Sequence, residues 1–186
     1  DSFFGHPEYG AEDSYYDSLD TPYGAKDAPY EIVDEMLLVS GMTPQIFHAI
    51  KPYITVYGEG FVNLNTASSM VRRALGFSET TADNMVLYLK GNDALAGTGD
   101  DRFFSGLTTI ATEMETTANM PLSSDDQRIL ANLTAAANVA LYSTVFSAHI
   151  TATLDRNNAA VELDTVIDRK GKVKLAQASG VLWPAR

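Results

Sequence analysis

The sequence predicts an α+β fold in which a helical first part is followed by an antiparallel β-meander. Three observations predict it. Apolar residues recur at helical spacing through residues 30–90. From Val139 onward the period changes to two. Runs of helices followed by runs of strands, without alternation of the two, mark α+β chains. The same reading divides the chain into a helical domain over residues 1–135, with an acidic N-terminal arm, and a β-sheet region over residues 139–186.

Residues 1–30 are rich in Gly, Pro, Asp and Tyr. Glu12, Asp13, Tyr15, Tyr16 and Leu19 suit a short helix before Asp20-Thr-Pro-Tyr23-Gly24 turns the chain. Phe3, Phe4, Tyr9, Tyr15, Tyr16, Tyr23 and Tyr30 point to an arm wrapped on the first helical unit, since a solvated acidic tail carries few aromatics. Ile32, Val33, Met36, Leu37 and Val39 give a helix ending at Ser40-Gly41. Thr43 is placed to cap the next helix, with Pro44 at its first position, where a missing amide is tolerated. Ile46, Phe47 and Ile50 continue the stripe to Pro52. Residues 53–65 read as a short hairpin or extended connector around Gly58 and Gly60, with Val62 and Leu64 pointing into a core.

Asn65 or Thr66 is expected to cap the helix carrying Met70, Val71, Ala74 and Leu75, which Gly76 ends. Ser78 with Glu79 opens another, striped by Ala82, Met85, Val86 and Leu89. Gly41-Met42-Thr43 aligns with Gly76-Phe77-Ser78. The chain thus reads as two tandem helix-hairpin-helix units, about 30–51 and 66–90, each too small to bury its stripe alone. Residues 91–101 form the most loop-like segment, and 103–114 fit a helical or a mixed assignment. Ser123-Ser124-Asp125-Asp126 is an N-cap cluster for a helix with Ile129, Leu130 and Leu133.

In the meander, Tyr142, Thr144, Phe146, Ala148, Ile150, Ala152 and Leu154 alternate with Ser143, Ser147, His149, Thr151 and Thr153. Asp155-Arg-Asn-Asn158 turns into a strand over Ala159–Arg169, with Val161, Leu163, Thr165 and Ile167 on one face. Lys170-Gly-Lys172 turns into a third strand with Val173, Leu175 and Val181–Trp183. One face is apolar and needs a cover. Phe146 is assigned to that covered face, where an aspartate would unfold the sheet. An open sheet edge also asks for a partner.

The chain has 186 residues and a net charge of −11, concentrated at one end: residues 1–35 hold ten acidic side chains and one lysine. It contains no cysteine, which excludes disulfides, thiolate catalysis and cysteine-ligated zinc. No apolar run approaches the roughly 20 residues that cross a bilayer. The chain opens at Asp1 with neither signal peptide nor initiator methionine, as expected of a processed or excised chain.

Helix-hairpin-helix units commonly grip nucleic-acid phosphates, which makes nucleic-acid binding the alternative function. That mode needs bases beside the turns. The turn Ser40–Gln45 has none, the turn Gly76–Thr81 carries Glu79, and Arg72-Arg73 reads as a solvated pair. Calcium takes several oxygen ligands, and two acid clusters offer them: Glu8, Glu12, Asp13, Asp17 and Asp20, and Asn92, Asp93, Asp100 and Asp101. Neither has EF-hand spacing; the competing reading is hydrated surface. Catalysis finds no constellation. His6, His48 and His149 are scattered, Gly97-Thr98-Gly99 lacks the lysine and helix of a phosphate loop, and no Gly-x-Ser-x-Gly or His-Glu-x-x-His occurs.

Several of these residues carry a family resemblance. Gly10-Ala-Glu-Asp13 with Tyr15-Tyr16, Pro29-Tyr30, Glu35-Met-Leu-Leu-Val-Ser-Gly41-Met42-Thr43 and Val62-Asn-Leu-Asn-Thr-Ala67 resemble the K-type minor pseudopilin of type II secretion systems, and Tyr142-Ser143 and Phe146 ahead of the strands fit its sheet. Asp27 departs from the expected asparagine. The resemblance implies a pilin-like fold with a helical domain inserted, and a non-enzymatic role at the tip of a periplasmic filament in a Gram-negative bacterium. The implied partners are other minor pseudopilins that together serve protein export across the outer membrane. It further implies an inner-membrane tether through an N-terminal apolar helix absent from this chain, and calcium in some members.

Overall fold

The computed structural model describes residues 11–154, 159–169 and 173–182. The chain divides into two compact units, Asp1–Val56 and Tyr57–Arg186, and the division falls inside the stretch read from sequence as one helical domain.

In the first unit a single turn, α1 (Asp13–Tyr16), buries Tyr16. Its ring packs on Tyr23 with centroids 5.0 Å apart, and its hydroxyl accepts the Ser40 N–H at 3.2 Å. Tyr23 donates to the Leu38 carbonyl at 2.8 Å. The aromatics of the arm therefore do fasten it to the segment that follows; Phe3, Phe4 and Tyr9 lie outside the described residues. That segment departs from expectation. Val33–Leu38 winds as a 3₁₀ helix, not an α-helix. None of its residues is buried, and Ile32, Leu37 and Leu38 are among the most exposed apolar side chains of the unit. Without a core face to bury, tertiary packing does not drive a longer helix. Its start is held instead by Glu35, whose carboxylate accepts the N–H groups of Glu31 and Ile32 and pairs with Lys26. Gly41, at φ +83°, turns the chain. In α2 (Pro44–Ile50) the Thr43 hydroxyl accepts the Ile46 N–H at 3.2 Å, as its position foretold, and Phe47 is the buried anchor.

The second unit opens with β1 (Val62–Asn63), then α3 (Ser69–Ala74) and α4 (Glu79–Leu89). The cap of α3 is Ser68, whose hydroxyl accepts the Val71 N–H; neither Asn65 nor Thr66 serves. Gly76, at φ +105°, makes the turn, and Ser78 caps α4 through the Thr81 N–H. The buried face of α4 is Thr81, Ala82, Met85 and Tyr88. Residues 103–114 are mixed: a non-helical lead runs into α5 (Ile110–Ala118), and Ser123 then caps α6 (Ser124–Ala135). Leu64, Phe77, Met85, Phe104, Ile110, Met114, Leu122 and Leu130 form one core. Within it Tyr88 stacks on Phe104 at 5.0 Å with planes 3° apart.

After α6 the chain returns as β2 (Val139–Ala140), parallel to β1 with Val62 opposite Val139. Residues 53–65 are thus an extended connector that ends in this ladder and no hairpin. Long alternation starts only at β3 (Val145–Leu154), which pairs antiparallel with β4 (Ala159–Asp168), itself antiparallel to β5 (Val173–Leu182). Tyr142 lies in the bend before β3 and packs edge-on against Phe61 at 5.2 Å. The expected turns at 155–158 and 170–172 and the end of the third strand at Trp183 fall outside the described residues. The face that should be covered is open: Phe146 is 53%, Ile150 47% and Val161 43% exposed, and Thr165 is the buried residue between them.

Candidate interaction surface

Asn63 and Asn65 fix the root of the meander. The Asn65 side-chain amide donates to the carbonyls of Phe104 (3.3 Å) and Leu141 (3.1 Å), and its oxygen accepts the Phe104 N–H at 2.8 Å. Asn63 donates to the Ser143 hydroxyl at 2.9 Å and accepts the Asn65 N–H. Two short polar side chains therefore tie three distant segments together. This is why Asn65 is not a helix cap: its donors and acceptor are already engaged.

The helical layer has its own hub in Asp126, which is 1% exposed. Its carboxylate accepts the Ser78 N–H, the hydroxyls of Ser78 and Thr81 at 2.8 Å each, and the Ser123 hydroxyl at 2.6 Å. Burial pushes this carboxyl up, but the four donors outweigh burial and hold it below its ordinary value. The N-termini of α4 and α6 are thereby joined on one anion, as their dipoles favour. Sequence placed Asp126 in a cap cluster; its reach to Ser78, 48 positions back, had no local signal.

Arg72 overturns its sequence reading as a solvated base. It is wholly buried and donates to the Leu64 carbonyl at 2.8 Å, while Nε and Nη1 have no protein partner. Burial pulls its pKa down to about 10. Arg73 faces Glu79 at 3.4 Å. Arg72 is therefore withdrawn from the surface, and Arg73 is the one arginine of the α3–α4 hairpin left exposed, beside the acidic Glu79.

The acid clusters are engaged with their own loops. Asp13 accepts the Ala25 N–H at 2.7 Å. Glu12 and Asp17 flank α1, Glu12 caps nothing with its side chain, and both are exposed, as is Asp20. Asp93 accepts the Leu95 N–H, and Asp101 accepts the Gly97 N–H at 2.7 Å. Asp100 accepts the Thr98 hydroxyl and the N–H groups of Asn92 and Asp93, which hold its carboxyl below the ordinary value. Asn92 receives Arg102. Among the described residues no group of three or more His, Cys, Asp or Glu is arranged to hold a metal ion; Glu8 lies outside them. His6 does too. His48 bonds the Pro44 carbonyl of its own helix. His149 bonds Asp164 across the strands at 2.7 Å, with the Thr151 hydroxyl 3.4 Å from its other nitrogen. That chain has the order of a catalytic relay, but its His and Asp side chains are 58% and 60% exposed on a solvated strand face, where water competes for each bond.

What remains unsatisfied is the meander. Its apolar face is open at Phe146, Ile150 and Val161, and its outer strands β3 and β5 each leave one edge unpaired among the described residues. The second unit is thus a helical layer with its own core, followed by a three-stranded antiparallel sheet whose apolar face is open at these positions. The fold matches a chain in the crystal structure of the GspK-GspI-GspJ complex from the enterotoxigenic Escherichia coli type 2 secretion system. The match has a TM-score of 0.56, 16% identity, and covers 93% of this chain and 56% of that one. The family model of type II secretion system protein K matches residues 5–59. No curated protein matches the sequence. Residues 5–59 are thus similar to type II secretion system protein K, which covers the part of the resemblance carried by residues 10–43, while Val62–Ala67, Tyr142, Ser143 and Phe146 lie outside the matched stretch; the fold is similar to that of a chain in that complex.

Proposed function

We propose that the protein is a K-type minor pseudopilin, a non-enzymatic subunit that joins other minor pseudopilins at the tip of a periplasmic type II secretion filament and serves export of proteins across the outer membrane. The observation that carries the reading is the open apolar face of Phe146, Ile150 and Val161 on a sheet whose root is firmly tied by Asn63 and Asn65. Exposed apolar surface of this kind marks a site of protein contact. The protein K match over residues 5–59 and the fold of a subunit from a three-pseudopilin complex support the choice of partner.

The test is reconstitution. The purified chain is mixed with the periplasmic domains of the I-type and J-type minor pseudopilins of its own system and resolved by size-exclusion chromatography with light scattering. A discrete ternary complex is expected. Three independent monomers in the elution profile would refute the reading.

A further inference from the structure

We infer that the open edge of β3 pairs antiparallel with β3 of a second copy of this chain, with Ile150 on the two-fold axis, extending two three-stranded sheets into one of six strands. The inference does not rest on the filament reading, because it uses β3 alone.

Three observations carry it. First, β3 is ten residues long and lies at the outside of the order β3-β4-β5, so its outer backbone groups lack a strand partner among the described residues. Second, it has none of the devices that blunt an edge. Proteins protect such strands with charged side chains, proline, bulges or shortness. Val145–Leu154 contains no Asp, Glu, Lys, Arg, Pro or Gly, whereas β4 carries Glu162, Asp164 and Asp168 and β5 carries Lys174 and Gly180. The register of β3 with β4 is uninterrupted, and both irregularities of the sheet fall between β4 and β5. The strand left unprotected is thus the straight, uncharged one.

Third, β3 is complementary to itself. Positions 146, 148, 150, 152 and 154 are Phe, Ala, Ile, Ala and Leu: large, small, large, small, large. An antiparallel two-fold at Ile150 sets Phe146 opposite Leu154 and Ala148 opposite Ala152, while Ser147 meets Thr153 and His149 meets Thr151. Every pair stays on its own face, as the period of two demands. Large residues then lie beside large ones, and the apolar face runs unbroken across the junction. Moving the axis to residue 149 would oppose two imidazoles and set large residues against small. Self-complementarity of one patch is the requirement of an isologous dimer, and it singles out a second copy over an unrelated strand.

The chain has no cysteine, so an introduced thiol reports cleanly. Light scattering on the intact chain should give a mass near twice 20.1 kDa at high concentration, falling on dilution. Ile150→Cys should form a disulfide-linked dimer on mild oxidation far faster than Ser147→Cys. Spin labels on Phe146→Cys should lie about 27 Å apart, eight residues at about 3.4 Å each, before allowing for the label arms. Thr151→Lys, exposed and opposite Glu162 in the monomer, should leave the monomer folded while weakening self-association about tenfold, because it puts a charged side chain on the pairing edge twice across the axis. A monomer at all concentrations would overturn the inference. So would a dimer indifferent to Thr151→Lys, or equal cross-linking at positions 147 and 150.

Discussion

The second unit contains two regions that satisfy themselves in opposite ways. Between Leu64 and Ala140 the chain buries Met85, Ile110 and Met114 almost completely, stacks Tyr88 on Phe104, and gives the buried carboxylate of Asp126 four donors. From Val145 onward the strands are as regular as the helices, yet Phe146, Ile150 and Val161 stand in solvent. Ladder hydrogen bonds hold the meander's form while apolar side chains at these positions stay in solvent; burial holds the helical layer's. The difference teaches that regularity of secondary structure says little about where the stabilising free energy of a domain lies, which follows buried apolar area. Damage to the helical layer should accordingly be severe, damage at its junction with the sheet intermediate, and damage on the open face nearly silent.

The largest effect is expected at Asp126. Asp126→Ala strands the Ser78 amide and three hydroxyls in a dry site and should cost about 3 kcal/mol in urea unfolding. The pH dependence gives a second readout. Asp126 titrates below its ordinary 3.8 in the folded protein, so its contribution is present above that value and is lost as pH falls through the folded pKa. Glu113 acts with the same sign: burial raises its carboxyl, but the hydroxyls of Ser105 and Thr109 overcome this and lower it. Wild-type stability should therefore drop below about pH 4, and the drop should be shallower in Asp126→Ala. A variant as stable as wild type would show that the helical layer is held by its apolar core alone.

At the junction, Asn65→Ala should cost about 2 kcal/mol. It leaves the Phe104 N–H and the carbonyls of Phe104 and Leu141 without their partner. Hydrogen exchange sharpens the test. Loss of protection at Phe104 is expected, with α3 protected as before. The reverse pattern would restore Asn65 to the helix-capping role that its sequence position suggested.

Asn65 also shows what a sequence reveals and what it withholds. Thr43, Ser78 and Ser123 were legible as caps because a cap bonds an amide two or three residues away and the pattern is local. Gly41 and Gly76 were legible because a positive φ selects glycine. The strands were legible from their period of two, although Val139-Ala140 proved to be a separate parallel rung on β1. Asn65 and Arg72 were misread, and the reach of Asp126 beyond its cap cluster was missed, for a common reason. Their partners lie 39 to 76, 8 and 45 to 48 positions away, at points only the fold defines. The 3₁₀ winding of Val33–Leu38 was hidden similarly: its stripe is helical in spacing, but nothing in the sequence says that the stripe goes unburied.

Phe146→Asp, expected from alternation alone to unfold the sheet, should be the mildest change of all. At 53% exposure the side chain already meets water, so the aspartate keeps its hydration and the desolvation penalty of a buried charge does not arise. The thermal midpoint in dilute solution should correspond to a change within about 0.5 kcal/mol. The same variant should fail wherever the open face is covered by another protein, since the carboxylate would then be desolvated without a partner. Unchanged melting together with lost complex formation places the function of the meander in its exposed face. Unfolding of the isolated variant would mean that the face is already covered within this chain, and the contrast between the two regions would collapse.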